Sequence, residues 1–348
     1  MMSVFDQFNI NKDNLEKWIF ENVIDFEVPI SLELIPSGRS NLTFKLSSVN
    51  GKSLILRRPP MSHVLKSAHD MNREYKVISA LSTVGFPVPT PLAFVSDESI
   101  IGAPFLAMEY VDGFILKEAK DVDTIFPNHS VRSDLSKNII DTLATLHSFD
   151  FKEIGLVGFG KEGGYLDRQM KRWHEQFYLS SSEGDKDVSI MEEVFGYLNS
   201  KKPNNESISI VHGDYRLDNI IVAGDGSIKA VLDWELSTIG EPLCDLGLFM
   251  VYWVEDSNSN PLLLPAPTAM PGLLKKDEMA RRYSNLSGRN VDDISYYIAF
   301  GYFKLACILK GVLNRYVHGA AAGDPSGAEA FGDQVVSLLE ASKMELSK

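Results

Sequence analysis

Eight consecutive residues, His212-Gly213-Asp214-Tyr215-Arg216-Leu217-Asp218-Asn219, lie between two apolar segments, and Asp233-Trp234-Glu235 follows a third. Transfer of a phosphoryl group needs a carboxylate that orients an attacking hydroxyl and accepts its proton. It also needs oxygen ligands for a Mg²⁺ ion that bridges nucleotide phosphates. Asp214, Asn219 and Asp233 supply these groups. The segments SISIV, HGDYRLD, NIIVA, GDG and SIKAVL read as strand, polar loop, strand, turn and strand. An isolated Asp or Asn in such a place often serves only to satisfy turn backbone groups. The His, both Asp residues and the Asn together, in this order, favour the chemical reading.

Asp214 and Asn219 are five positions apart, the spacing of the kinase catalytic loop H-R-D-x-x-x-x-N with Gly213 in place of the Arg, and Asp233 stands where the Asp of D-F-G would stand. Here the chain resembles the aminoglycoside phosphotransferase and choline kinase superfamily, the small-molecule branch of the protein-kinase-like fold. VHGDYRLDNIIV and VLDWELSTIGEPLCDLG are the most specific stretches. The resemblance implies that Asp214 is the catalytic base, that Asn219 and Asp233 hold Mg²⁺, that Asp245 braces the loop, and that His212 is structural. More narrowly, SGRSNLTF, LRRPP, GYLDRQMKRW and DWELSTIGEPLCDLG resemble kinase-like domains found alone in bacteria or fused to acyl-CoA dehydrogenases.

The elements that must position these groups begin upstream. Ser37-Gly38-Arg39-Ser40-Asn41 separates SLELIP from LTFKLSS and is either a hairpin turn or a loop over ATP phosphates, with few glycines for the second role. After an Asn50-Gly51 hairpin signal, SLILRRPP reads as the next strand. Alternation puts Ile55 and Arg57 on one face and Leu56 and Arg58 on the other. Arg57 thus stands at the position of the phosphate-pairing Lys of V-A-I-K, with Arg58 second; an arginine there keeps the charge but has a different shape. SAHDMNREYKVISAL predicts a helix with Tyr75, Ile78 and Leu81 at spacing three, ended by Gly85 and Pro87. Its Glu74 is either the ion-pair partner of that cation or a solvated charge. Met108-Glu109-Tyr110-Val111 is either an edge strand or, by the resemblance, the interlobe hinge. In the second case the Glu109 carbonyl and the Val111 N–H bind the adenine edge and Met108 lines the pocket. The expected cofactors are ATP, with GTP as the alternative, and Mg²⁺.

Composition changes after Asp112-Gly113 from strand-rich to mainly helical. The expected organisation is therefore an N-terminal nucleotide-binding lobe over 1–112 and a C-terminal catalytic and substrate lobe over 113–348. The fold class is α+β: a two-lobed, protein-kinase-like fold with a small N-terminal antiparallel sheet and one helix, then a larger helical lobe. Periodicity predicts helices over Val131–Phe149, over Tyr165–Leu179, and a long buried one from Ile294 to Tyr316, with the last 30 residues peripheral.

The 348 residues are 44% hydrophobic and 23% charged, which excludes global disorder, and no repeat suggests a solenoid. A net charge of −13 repels nucleic acid and anionic lipid surfaces. Cys244 and Cys307 alone offer neither a disulfide framework nor a thiolate zinc site, so a reducing compartment is expected. The start MMSVFDQFNINKDN does not read as a signal peptide, and apolar runs such as Leu246 to Val254 fall short of a membrane span. A cytoplasmic protein with no nucleic-acid or membrane partner is expected; the oligomeric state is open.

For the acceptor, Arg168, Lys171 and Arg172 share one helix face, suited to an acidic substrate or to CoA phosphates, or else simply solvated and paired with local acids. Trp173, Tyr252 and Trp253 either line an apolar pocket or belong to the core. The expected function is Mg²⁺-dependent transfer of the ATP γ-phosphoryl group to a small-molecule hydroxyl. A hydroxyacyl-CoA or related acid is the first candidate acceptor, and an aminoglycoside or an amino alcohol such as choline or ethanolamine the second. The rival is a nucleotide-binding regulatory module without transferase activity. Arg57 in place of Lys and the glycine-poor loop favour the rival, while the intact base and metal ligands oppose it.

Overall fold

Ser3 and Asn11 accept the amide N–H groups of Asp6 and Asn14, starting helices α1 (Val4–Gln7) and α2 (Lys12–Asn22). The computed structural model describes residues 3–36, 41–60, 70–182, 184–204, 207–256, 266–317 and 328–348. The chain divides into two units, one comprising Met1–Gly113, Lys152–Leu156 and Lys229–Ser237, the other Phe114–Phe151, Val157–Ile228 and Thr238–Lys348.

The first unit is built on strands β1 (Ile30–Ile35), β2 (Leu42–Ser48) and β3 (Ser53–Arg58), helix α3 (Met71–Thr83), strand β4 (Pro91–Val95), helix α4 (Glu98–Ile101) and strand β5 (Phe105–Glu109). The strands form one antiparallel sheet in the order β1-β2-β3-β5-β4. Gly51, at φ +85°, makes the Asn50-Gly51 turn between β2 and β3, a conformation that costs a glycine nothing. One sheet face carries Phe44, Leu46, Leu54, Leu56, Phe105 and Ala107, and these pack with Leu15, Ile19 and Phe26 of the N-terminal segment. Arg58 points to this same side. Its buried guanidinium donates to the Phe8 carbonyl (2.8 Å) and to the Ile101 carbonyl, tying the ends of α1 and α4 to β3. Three helices, α1, α2 and α4, thus join the one expected from sequence. Asp70 caps α3, whose buried stripe is Met71, Glu74, Val77, Ile78 and Leu81, while Tyr75 is only half-buried. The stripe of spacing three and four therefore runs through a carboxylate.

The second unit begins with α5 (Ala119–Ile125), α6 (His129–Ser148), α7 (Tyr165–Leu179) and α8 (Asp187–Ser200). Short strands follow: β6 (Ser209–Val211) and β7 (Ile220–Val222), then β8 (Ile228–Val231), most of which groups with the first unit, and β9 (Thr238–Gly240). β6 pairs antiparallel with β9 through Ile210 and Ile239. The Gly-Asp-Gly segment turns as expected, with Ala223 N–H donating to the Ser227 carbonyl at 2.9 Å. Helices α9 (Pro242–Tyr252), α10 (Lys276–Ser287), α11 (Ile294–Val317) and α12 (Ala328–Leu346) complete the unit.

Helix α9 is buried from Pro242 to Val251 and crosses α11 closely. Gly247 permits the approach: a Cβ there would overlap the Tyr297 carbonyl and lie 2.7 Å from the Tyr297 Cβ. Among the described residues α11 is one helix long and apolar enough to cross a membrane, but it is mostly buried and packs on α7, α9 and α12, as a core helix does. The end of the chain is not peripheral as expected. Val335, Leu338, Leu339 and Ser342 of α12 are each at most 2% exposed, an i, i+3, i+4, i+7 stripe packed on α8 and α11.

Candidate active site

The polar loop after β6 is held from several directions within the second unit. Asp245 of α9 is 2% exposed, and its Oδ2 accepts the His212 N–H at 2.5 Å while its Oδ1 accepts the Gly213 N–H at 2.8 Å. His147 of α6 lies beside the same carboxylate, its Nε2 3.4 Å from Asp245 Oδ2 and its Nδ1 2.7 Å from the Tyr283 hydroxyl. Burial alone would push the Asp245 carboxyl up, but the surrounding donors hold it below its ordinary value. Burial has the opposite result for His147, whose imidazole is held below its ordinary pKa and so stays neutral near pH 7. Gly213 has φ +86°, a backbone geometry that admits the two adjacent N–H groups to one carboxylate.

Beyond this bend, His212 Nδ1 accepts the Asp214 N–H at 3.2 Å, and the buried Tyr215 hydroxyl donates to the Ile139 carbonyl at 2.7 Å. A 3₁₀ turn over Leu217–Asn219 brings Asn219 back, and its Nδ2 donates to the Asp214 carbonyl (2.9 Å) and to Asp214 Oδ2 (3.1 Å). Both donations use Nδ2, which leaves Oδ1 as the acceptor atom of the Asn219 amide. The Asp214 side chain is 29% exposed, with Arg216 Nε 3.8 Å from its Oδ2. Arg216 also donates to Asp218 at 2.5 Å and lies 4.9 Å over the Tyr252 ring.

The first unit assembles a second group. Arg57 Nη1 donates to Glu74 Oε1, Nη2 lies 2.5 Å from Asp233 Oδ1, and Glu235 Oε2 is 3.6 Å away. Burial works against the Arg57 charge, yet these carboxylates outweigh it and raise its pKa. Burial pushes the Glu74 carboxyl up, with Arg57 pulling the other way. Asp233 follows β8 with φ +65°, a left-handed conformation that Asp tolerates better than most residues. Of the loop expected over the phosphates, Ser37, Gly38, Arg39 and Ser40 lie outside the described residues. Asn41 is buried, and its Nδ2 donates to Glu235 Oε2 at 2.7 Å.

β5 pairs on both sides, with β3 and with β4, so Met108-Glu109 ends a central strand and not an edge strand. Met108 is buried, and the Glu109 carboxylate accepts from the Thr90 hydroxyl at 2.5 Å. Arg168 donates to the Gly163 and Lys161 carbonyls of its own preceding loop. Arg172 is exposed with its guanidinium 5.1 Å over Trp173, and Lys171 pairs with Glu175 at 3.8 Å. Trp253 is 1% exposed, its Nε1–H bonded to the Leu274 carbonyl at 2.9 Å, so it is a core residue. Tyr252 lies beside the loop, its ring 4.9 Å from the Arg216 guanidinium.

Two residues bearing on the site are absent from the sequence reading, His147 and Lys304, and Glu235 enters it only within Asp233-Trp234-Glu235, with no role of its own. Lys304 of α11 is buried and donates to the Gly213 carbonyl at 2.8 Å. Its signal is a lysine in the buried stripe Phe300, Phe303, Lys304, Cys307.

A five-stranded antiparallel sheet with a buried cation–carboxylate group in one unit, and a braced His-Gly-Asp loop in the helical other, are the parts of a two-lobed, kinase-like α+β fold. The chain belongs to the phosphotransferase enzyme family, whose model matches residues 31–264. It is 31% identical to a Ralstonia eutropha protein provisionally assigned as an aminoglycoside phosphotransferase, with TM-score 0.81 over 97% of this chain and 98% of that one. The fold is shared with choline kinase from Cryptosporidium parvum, at 14% identity and TM-score 0.62 over 97% of this chain and 94% of that one. Human acyl-CoA dehydrogenase family member 11 is 32% identical over the whole of this chain, which spans 44% of that protein.

Proposed function

We propose that the protein is a Mg²⁺-dependent kinase that transfers the γ-phosphoryl group of ATP, with GTP the alternative, to a hydroxyl of a small molecule. The observation that carries this reading is the Asp214–Asn219 pair on a loop pinned by Asp245. Asp214 orients the acceptor hydroxyl and takes its proton. Arg57, oriented by Glu74, steadies the phosphates, assisted by the loop Ser37 to Asn41; Met108, Glu109 and Val111 serve the adenine. Residues 1–112 act as the nucleotide lobe and 113–348 as the catalytic and substrate lobe.

Magnesium prefers hard oxygen ligands, keeps several waters and shares phosphate oxygens, so one carboxylate and one amide oxygen suffice from the protein. Asn219 fits that demand, since both donations from its Nδ2 leave Oδ1 as an acceptor, and Asp233 supplies the carboxylate. The ion would neutralise charge developing on the transferred group.

For the acceptor we favour a hydroxyacyl-CoA or a related hydroxy acid over an aminoglycoside or amino alcohol. Support comes from the relatives named as acyl-CoA dehydrogenase family members and from exposed Lys171 and Arg172 on a protein of net charge −13. Solved neighbours of the fold hold AMP-PNP with hygromycin B in one case and GDP with kanamycin in another. The test is nucleotide consumption with Mg²⁺ across hydroxyacyl-CoAs, hydroxy acids, aminoglycosides and amino alcohols, with Asp214→Asn as control. Turnover by the wild type alone supports the reading and names the acceptor. Binding of nucleotide without turnover of any class supports a regulatory module instead.

A further inference from the structure

Lys304 is an unusual residue for its place. It lies in α11 between Phe303 and Leu305, is 9% exposed, and has the Trp173 ring 5.9 Å from its Nζ. Burial lowers its pKa, with Asp214 and Asp245 among the charges that draw it back up. A lysine taken out of water is costly unless its charge is answered, and a single carbonyl could be satisfied more cheaply by water. The carbonyl it meets belongs to Gly213, and the Gly213–Asp214 peptide is the one that sets where the Asp214 side chain starts.

The bonds around that peptide are nearly complete. Gly213 N–H is held by Asp245 Oδ1 at 2.8 Å, Gly213 C=O by Lys304 Nζ at 2.8 Å, Asp214 N–H by His212 Nδ1 at 3.2 Å, and Asp214 C=O by Asn219 Nδ2 at 2.9 Å. His212 and Asn219 are part of the loop and move with it. Asp245 and Lys304 are not; they belong to α9 and α11, which pack directly on each other. An anion therefore grips the N–H of Gly213 and a cation grips its C=O, both from core helices.

We propose that Lys304 is a positioning residue for phosphoryl transfer, fixing the peptide that carries Asp214 so that its carboxylate meets the acceptor hydroxyl in one orientation. Lys304 touches neither nucleotide nor acceptor in this role. Its removal should lower the rate of the chemical step and leave nucleotide affinity alone, because a base displaced by a fraction of an ångström loses turnover before the phosphate contacts change. The inference rests on the phosphoryl-transfer reading above.

The experiment compares the full chain with Lys304→Met, which keeps the length and loses charge and donor, and with Lys304→Arg, which keeps both. Binding of Mg²⁺–AMP-PNP, nucleotide KM and kcat with the acceptor found above, and amide exchange by mass spectrometry over 211–219 are measured. For Lys304→Met the expected results are nucleotide affinity and KM within about twofold of wild type, kcat lower by about 10²-fold, and faster exchange confined to 211–219. Lys304→Arg should recover part of both losses. Unchanged kcat, a rise in nucleotide KM that accounts for the whole loss, or unchanged exchange over 211–219 each overturns the proposal. If the wild type turns over no acceptor, the kinase reading fails on that result, and the exchange data alone decide whether Lys304 holds the loop. Should Lys304→Met fail to fold, Lys304→Gln and Lys304→Arg are compared by the same measurements.

Discussion

Arg57 Nη2 lies 2.5 Å from Asp233 Oδ1, joining residues 176 positions apart. The same guanidinium serves Glu74, which is 2% exposed. Arg57→Met therefore strands a buried carboxylate, and the expected loss is about 3–5 kcal/mol. Arg57→Lys keeps the charge without the fork and should fall between that variant and wild type. Replacing Glu74 by Gln together with Arg57→Met should recover part of the loss, since no unpaired buried charge then remains at that position. Urea unfolding of the single and double variants checks this; additive losses would show that Arg57 and Glu74 do not act as a pair.

Asp214→Asn should separate chemistry from folding. The side chain is 29% exposed, so the expected stability change is within about 0.5 kcal/mol. Loss of the base should cost about 10²- to 10⁴-fold in kcat, with affinity for Mg²⁺–AMP-PNP retained. Calorimetric binding beside nucleotide turnover checks the split, and a variant as active as wild type would remove Asp214 from the mechanism.

The chemistry-bearing residues were legible where short-range patterns determine them. Alternation along β3 separates Arg57 from Arg58, and the two side chains do go to opposite faces, one to Glu74 and Asp233, the other to the Phe8 and Ile101 carbonyls. The His212 to Asn219 loop was legible because its internal bonds span only two to five residues. Lys304 was not, since its partner is a backbone carbonyl 91 residues away and a carbonyl leaves no trace in the residue types. Nor was the link from Asn41 to Glu235, separated by 194 positions. Helix α12 departs from expectation for another reason: the Ala- and Gly-rich stretch before it reads as an ending, while its stripe of Val335, Leu338 and Leu339 has meaning only against α11.

Stability should fall in mild acid through His147. The folded protein holds this buried imidazole neutral, with its pKa below the ordinary 6.5, because burial outweighs the attraction of Asp245. The unfolded chain protonates it normally. Below about pH 6.5 the unfolded state binds more protons, so stability declines as pH falls, by up to about 1.4 kcal/mol per pH unit from this group. The depressed Asp245 carboxyl contributes in the same direction only below about pH 4, where the unfolded carboxylate begins to protonate. Thermal unfolding of wild type and His147→Asn between pH 8 and 5 checks this. The variant should be less stable at pH 8 and its melting temperature should vary less with pH; parallel curves would assign the acid sensitivity to other groups.

The crossing of α9 and α11 sets the distance between Asp245 and Lys304, the two charges that hold Gly213. Gly247→Ala puts a Cβ into the Tyr297 carbonyl, backbone that cannot turn aside as a side chain would. The helices must separate, at an expected cost of about 1–3 kcal/mol. Separation also pulls Asp245 and Lys304 apart at the loop, so this variant should lose kcat although Gly247 approaches no substrate. Ser342, on the α12 side of α11, donates to the Ala299 carbonyl and provides the comparison. Ser342→Ala should destabilise by about 1 kcal/mol with kcat intact, because it leaves the α9–α11 spacing alone. Melting temperatures and kcat for both variants decide the matter: equal kcat in the two would mean that the helix crossing stabilises the fold without setting the position of Asp214.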